Sequence, residues 1–145
     1  MSGSCLCGAI TYTLSSAPLK RFICHCPNCQ KASGSAFMTN FWYPKDAQTF
    51  TSGANILKTY VDTTTKSGTP LHRSFCPHCG SPVRLTTAFA PLSTFVAVPA
   101  GTLDGGKESE MRRAGWQPDA EYFIEDRAGC LGALEGVAQV EGREK

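Results

Sequence analysis

The sequence predicts a mainly β fold of antiparallel sheets with few short helices, and three observations lead there. Short β-prone runs recur between Gly, Pro and Ser punctuation: Ala36–Tyr43, Leu71–Phe75, Pro82–Thr86 and Thr94–Val98. Ile10, Tyr12 and Leu14 alternate with Ala9, Thr11 and Thr13, the period of a half-buried strand. No segment before residue 100 carries ten or more residues of helical periodicity.

Composition narrows the class. The chain has 145 residues, of which 41% are hydrophobic and 18% charged, with 14 glycines and 9 prolines, which suits a globular, turn-rich protein rather than a disordered one. One domain is expected over residues 1–140, with a charged tail over 141–145 expected to fray. Met1–Cys5 has neither a basic flank nor a long apolar run, and no later segment approaches a membrane span, so a cytoplasmic location and no membrane partner are expected. Lys20, Arg21, Lys31, Lys45, Lys58 and Lys66 form no continuous stripe, and the formal charge of +2 disappears once metal-bound cysteines are counted as thiolates. Nucleic acid is not an expected partner.

In chain order, Cys5 and Cys7 stand at the entrance of the first strand, spaced to share a face. Leu19–Ile23 leads into Cys24, Cys26 and Cys29. On extended backbone Cys24 and Cys26 project together, and Pro27-Asn28 reads as a turn returning Cys29 toward them. Lys31–Ser35 reads as a loop, and Pro44 should stop the strand before it. Ile56–Val61 is a further strand. Cys76 and Cys79 form a second knuckle, with Gly80 permitting its tight backbone. Lys107–Arg113 reads as a helical turn or two and Glu121–Ile124 as a last strand.

Seven of the eight cysteines fall into tight groups, Cys5/Cys7, Cys24/Cys26/Cys29 and Cys76/Cys79, which is metal-ligand rather than disulfide spacing. Two partitions are open. Cys5, Cys7, Cys76 and Cys79 can close one site, leaving the triad as a second with a free coordination position. Alternatively, Cys76 and Cys79 join two of the triad and leave Cys5 and Cys7 idle. The first is preferred, because it yields one closed structural and one open, more labile zinc site without an orphan pair. Cys130, alone, is expected to be a small buried hydrophobe.

The motifs Gly3-Ser4-Cys5-Leu6-Cys7-Gly8, Cys24-His25-Cys26-Pro27-Asn28-Cys29-Gln30-Lys31-Ala32-Ser33-Gly34, Phe75-Cys76-Pro77-His78-Cys79-Gly80 and Gly101-Thr102-Leu103-Asp104 together resemble those of the glutathione-dependent formaldehyde-activating enzyme family, which includes centromere protein V-like proteins. The resemblance implies a β-tent zinc-binding fold. It implies a structural Zn²⁺ on Cys5, Cys7, Cys76 and Cys79, and a catalytic Zn²⁺ on Cys24, Cys26 and Cys29. It also implies carbon-sulfur lyase chemistry joining glutathione to an aldehyde. The carboxyl-terminal part departs from the family pattern: Glu121-Tyr122-Phe123 and Gly129-Cys130 stand where a His-aromatic pair and a later Trp are often found.

The expected activity is therefore that of a zinc-dependent lyase or transferase acting on a thiol adduct of an aldehyde or other electrophile, with glutathione as the thiol the family uses. A non-catalytic zinc module, and a zinc hydrolyase or isomerase acting on a thiol-free substrate, are the alternatives. Three thiolates make a bound Zn²⁺ a weak Lewis acid, which favours thiolate delivery over activation of water. His25, alternating with Cys24 and Cys26, should face away from the metal on a strand, with proton transfer as the minority reading. His72 reads as a sheet residue, His78 as exposed and Asp104 as turn chemistry. Phe37, Phe41, Trp42 and Tyr43 divide between a pocket and the core by alternation.

Overall fold

The structure, a computed structural model, describes residues 1–106 and 109–143. Its elements in chain order are β1 (Ser2–Ser4), β2 (Thr11–Leu14), β3 (Lys20–Cys24), helix α1 (Pro27–Ser33), β4 (Met38–Pro44), β5 (Gln48–Ser52), β6 (Lys58–Asp62), β7 (Leu71–Phe75), β8 (Pro82–Thr86), β9 (Phe95–Pro99), β10 (Ala120–Tyr122) and β11 (Ala138–Val140), with short 3-10 turns between them. A three-stranded sheet runs β1-β2-β5, and an eight-stranded sheet runs β11-β10-β3-β4-β9-β8-β7-β6. The mainly β expectation holds. The expectation of wholly antiparallel sheets does not, because β10 lies parallel to both β3 and β11. Residues 123–137 supply the crossover that parallel β10 and β11 require, and the long connection after β9 lets β10 come in beside β3.

Alternation along the central strands determines where the functional surface lies. Phe41 and Tyr43 of β4, with Val96 and Val98 of β9, point at the small sheet and meet Tyr12 and Leu14 in one core. Each such side chain stabilises the fold by about 1.5–3 kcal/mol when fully buried. Trp42 and Ala97, one residue out of phase, pack with Phe22, Leu85 and Tyr122 around the three-cysteine motif. A third cluster gathers Ile10 and Val83 around Cys5 and Cys76.

The turn expected at Pro27-Asn28 and the loop expected at Lys31–Ser35 are instead the seven-residue helix α1 and its cap. Its signals are local: Pro27 sits in the first turn, where a missing N–H costs nothing, and Gly34 caps the end at φ 63°. At under two turns it shows no measurable periodicity. The strands β1, β5 and β11 were not predicted, being short and without an alternating apolar pattern. Pro44 is the last residue of β4 rather than a stop before it. Cys130 is exposed rather than buried, because it lies in an irregular segment outside the three clusters.

Of the helical turn expected over Lys107–Arg113, Glu110–Arg112 form a 3-10 turn, and residues 107 and 108 lie outside the described residues. Within the stretch expected to fray, the Gly142 carbonyl accepts from the Phe123 N–H at 2.9 Å and Arg143 reaches Thr69 at 3.0 Å; residues 144 and 145 lie outside the described residues. Asp104 accepts from the Ser2 and Ser4 hydroxyls at 3.0 and 2.9 Å, which pins β1. No helix among the described residues is long and apolar enough to cross a membrane.

Gly3 pairs with Tyr12 across β1 and β2. A Cβ there would overlap the Tyr12 ring and hydroxyl and come within 2.7 Å of the Thr102 carbonyl oxygen. Gly3→Ala should therefore cost about 1–3 kcal/mol, as overpacked core sites do. Denaturant unfolding checks this, and an unchanged midpoint would contradict the packing described.

Candidate functional site

Two cysteine clusters form at opposite kinds of place in the fold. Cys5 leaves β1 into a turn closed by the Gly8 N–H on its carbonyl at 3.0 Å, and Cys76 leaves β7 into another closed by the Gly80 N–H at 2.8 Å. Gly8 and Gly80 have φ of 76° and 74°, which other residues rarely adopt. These turns bring Cys5, Cys7, Cys76 and Cys79 together with all four sulfurs within 4.8 Å of one another. Cys5 and Cys7 are 3.6 Å apart and Cys7 and Cys76 3.8 Å, far beyond a disulfide bond. Those spacings match the roughly 3.8 Å edge of a tetrahedron built on metal-sulfur bonds of about 2.3 Å. The donor set fits a divalent ion. The Ser81 hydroxyl, 3.3 Å from Cys79, helps hold that thiol down at about 5.

The second cluster is Cys24, Cys26 and Cys29, all buried, with their sulfurs within 4.8 Å of one another. Cys24 ends β3, Cys26 caps α1 on extended backbone and Cys29 follows one turn later, its N–H bonded to the Cys26 sulfur at 3.4 Å. Hydrogen bonds from Cys24 and Cys29 hold Cys26 down at about 3, and its contact with Cys26 pushes Cys24 far up. Three adjacent sulfurs cannot all ionise without a cation beside them. The fold groups the sulfurs as a set of four and a separate set of three.

One cation is supplied by the chain and was not foreseen from sequence. Arg73 on β7 places its guanidinium nitrogens 3.8 and 3.9 Å from the Cys29 sulfur, while its Nε donates to Asp62 at 2.9 Å. Asp62, at the end of β6, also accepts twice from the Asn28 amide at 3.0 Å, and from the Thr64 N–H and hydroxyl. Burial opposes ionisation of Asp62, but bonds from Asn28, Arg73 and Thr64 outweigh it and hold its carboxyl below the usual range. Burial also opposes the charge on Arg73, and Cys29 and Asp62 overcome it. The network locks α1 to β6 and β7, so the guanidinium is aimed rather than mobile.

A second network holds the opposite side of the triad. His25 is buried with its Nε2 2.8 Å from Glu121 Oε1, and its ring edge meets Phe37. It stands outside the sulfur cluster, as alternation predicts. Glu121 Oε2 accepts from the Leu134 N–H at 2.9 Å and Gln139 at 2.6 Å, with Arg127 at 3.2 Å. Glu121 of the Glu121-Tyr122-Phe123 run is therefore the partner of His25. Phe41 and Tyr43 belong to the core. Trp42, Phe22 and Tyr122 instead line a cavity of about 140 Å³ that Cys24, Cys26, Cys29 and Arg73 border. None of the four sulfurs of the other cluster borders it. Arg73 also edges an open polar groove of about 370 Å³ shared with Asn28, Lys31, Tyr60 and Thr64. His72 lies within β7 and His78 is exposed, as expected.

A mainly β protein with one closed four-cysteine cluster and one three-cysteine cluster on a cavity wall is of a class able to chelate metal through sulfur alone. The family model described as glutathione-dependent formaldehyde-activating enzyme matches residues 1–126, and the chain belongs to that family. Membership points to formaldehyde- or thiol-related chemistry. No curated protein matches significantly. Among solved structures, a crystal structure of a Rhodobacter sphaeroides protein is similar with a TM-score of 0.57 and 20% identity, covering 72% of this chain and 89% of that one. That likeness is one of fold.

Burial opposes ionisation of Glu121, but the Leu134 N–H, Gln139, His25 and Arg127 outweigh it, so its folded pKa lies below the unfolded value. Its contribution to stability is then fully present above the ordinary carboxylate range and is lost as pH falls through the folded pKa. Glu121→Gln should cost about 3 kcal/mol at neutral pH, the scale for breaking a buried pair, and the difference from the parent should shrink below about pH 4. Denaturant unfolding of both proteins across that range checks it.

Proposed function

We propose that this protein is a zinc-dependent carbon-sulfur lyase or transferase that joins a glutathione-type thiol to an aldehyde or related electrophile, and cleaves the adduct in reverse. The observation that carries this reading is the contrast between the clusters: four sulfurs complete a ligand set away from the cavity, whereas three sulfurs on the cavity wall leave a ligand position for a substrate. In this reading Cys5, Cys7, Cys76 and Cys79 hold a structural zinc, and Cys24, Cys26 and Cys29 hold a catalytic one, within one zinc-binding domain spanning residues 1–140. The likeness to centromere protein V-like members belongs to the same reading.

Cys24, Cys26 and Cys29 would hold the zinc ion, which would supply a lowered pKa to a substrate thiol. The chain's own residues do the rest. The groove beside Arg73, with Lys31, Asn28, Tyr60 and Thr64, takes the polar body of the thiol substrate. Arg73 faces the cavity, and its fixed positive charge is placed to stabilise the oxyanion that develops as the S–C bond forms and the carbonyl π pair moves to oxygen. The proton lost by the thiol ends on that oxygen, giving the hydroxyl of the adduct.

Elemental analysis of protein purified under reducing conditions should find two zinc ions per chain. Mild chelation should remove one quickly, because a chelator can enter the open position without displacing a sulfur, while the other stays until unfolding. In cobalt-substituted protein, glutathione should perturb the sulfur-to-metal charge-transfer band in the parent but not in Cys26→Ser. Loss of both metals at one rate with no response to glutathione would favour a non-catalytic zinc module.

Arg73→Met should lose about 3 kcal/mol of stability by leaving buried Asp62 without its cation, and the folded, metal-loaded protein should lose about 100-fold in kcat, the scale for removing one oxyanion donor. Arg73→Lys should recover part of that loss by keeping the charge without the fork. Steady-state kinetics with formaldehyde and glutathione measure both.

A further inference from the structure

We infer that the electrophile handled at the three-cysteine site carries a ring-sized apolar substituent, and that the cavity beside the triad is the seat of that substituent. The inference rests on the thiol-addition reading above and names the substrate class for it. Size is the first argument. An apolar cavity of about 150 Å³ holds a benzene ring, whereas a molecule of two heavy atoms such as formaldehyde needs little more than the roughly 30 Å³ share of a water. The cavity here is about 140 Å³.

The wall makes the second argument. Phe22 lies 4.9 Å from Trp42 and 5.3 Å from Tyr122, and Trp42 stacks on Tyr122 at 6.2 Å, centroid to centroid. With Leu71 and Leu85 these rings form a continuous apolar face. Trp42 and Leu71 are only half-buried, so apolar surface stays wet until something covers it. A small hydrated carbonyl gains nothing from such a face. Phe123, also on the cavity, adopts φ 55°, ψ 46°, a left-handed conformation uncommon for a bulky side chain. Such strain persists only where surrounding structure enforces it.

The distribution of polarity is the third argument. Both kinds of group border the cavity: the three thiols and the cationic Arg73, Lys66 and Arg143, and packed beside the thiols the rings of Phe22, Trp42 and Tyr122. A matching ligand is amphipathic: its reactive carbonyl meets the sulfurs and Arg73, and its ring lies along Phe22, Trp42 and Tyr122. An aromatic aldehyde fits. Its addition balances without an oxidant, since the S–C bond forms, the C=O π pair moves to oxygen, and the thiol proton goes to that oxygen.

The test measures equilibrium binding, by calorimetry, of three stable probes to the protein as purified under reducing conditions: S-benzylglutathione, S-methylglutathione and benzyl alcohol. The expected result is that S-benzylglutathione binds at least roughly 30-fold tighter than S-methylglutathione, within the range that added apolar groups achieve in a fitted pocket. Ala97→Phe, which fills the cavity from β9, should bring that ratio close to one. Trp42→Ala, which removes part of the wall, should lower it even if Ala97→Phe fails to fold. Equal affinity for the two adducts in the parent overturns the substituent assignment and leaves the thiol reading standing. Binding of benzyl alcohol but of neither adduct supports the apolar seat and removes the thiol reading. An unchanged ratio in a folded Ala97→Phe protein overturns the location, and failure of all three probes to bind overturns both.

Discussion

Like-charge repulsion among clustered sulfurs is the constraint on which this structure depends. Seven cysteines converge into two groups whose sulfurs lie within 4.8 Å of one another, and such groups cannot all be thiolates unless positive charge is brought to them. At the set of four, no guanidinium among the described residues acts on Cys5, Cys7 or Cys79. What the fold supplies there is spacing: two glycine-closed turns from distant parts of the chain, set at the edge lengths of a metal tetrahedron. At the set of three it supplies Arg73, held by Asp62 and Asn28. Arg73 and a divalent ion would share the compensation there, and the chain's contribution is the part that also faces the cavity.

The sheet architecture converts that electrostatic requirement into a site. β4 and β9 are two-faced: Phe41, Tyr43, Val96 and Val98 join the sheets, while Trp42 and Ala97 face the triad. One face is saturated with apolar partners and gives stability. The other is left partly uncovered, with thiols and a guanidinium beside its aromatic rings. The parallel strand β10 completes the arrangement from the far end of the chain. It carries Glu121 to His25 behind the triad and presents Tyr122 to the cavity in front of it.

Much of this was legible in residue spacing. The strands at Leu71–Phe75 and Pro82–Thr86 fall where the sequence places them, because an alternating or β-branched run needs only its own pattern to be recognised. The separation of Cys5, Cys7, Cys76 and Cys79 from Cys24, Cys26 and Cys29 was likewise preferred on the grouping of ligands alone. Helix α1 was missed although Pro27 and Gly34 bracket it, since seven residues cannot display a helical period. The strands β1 and β11, three residues each, exist through pairing and have no pattern of their own.

By itself the sequence determined the chemistry of the donors, the β character of the chain and the division of its cysteines, because all of these follow from residue type and local spacing. Only the tertiary structure decided which other side chains serve those sulfurs. Arg73 reaches Cys29 across 44 positions and Glu121 reaches His25 across 96, and neither pairing leaves a local periodicity to read. The cavity is the same kind of property. Phe22, Trp42, Leu85 and Tyr122 lie on four different strands, and each alone is an ordinary apolar strand residue. They become a ring-lined wall only when strand order sets them side by side, because a cavity is a relation among surfaces rather than a feature of any one of them.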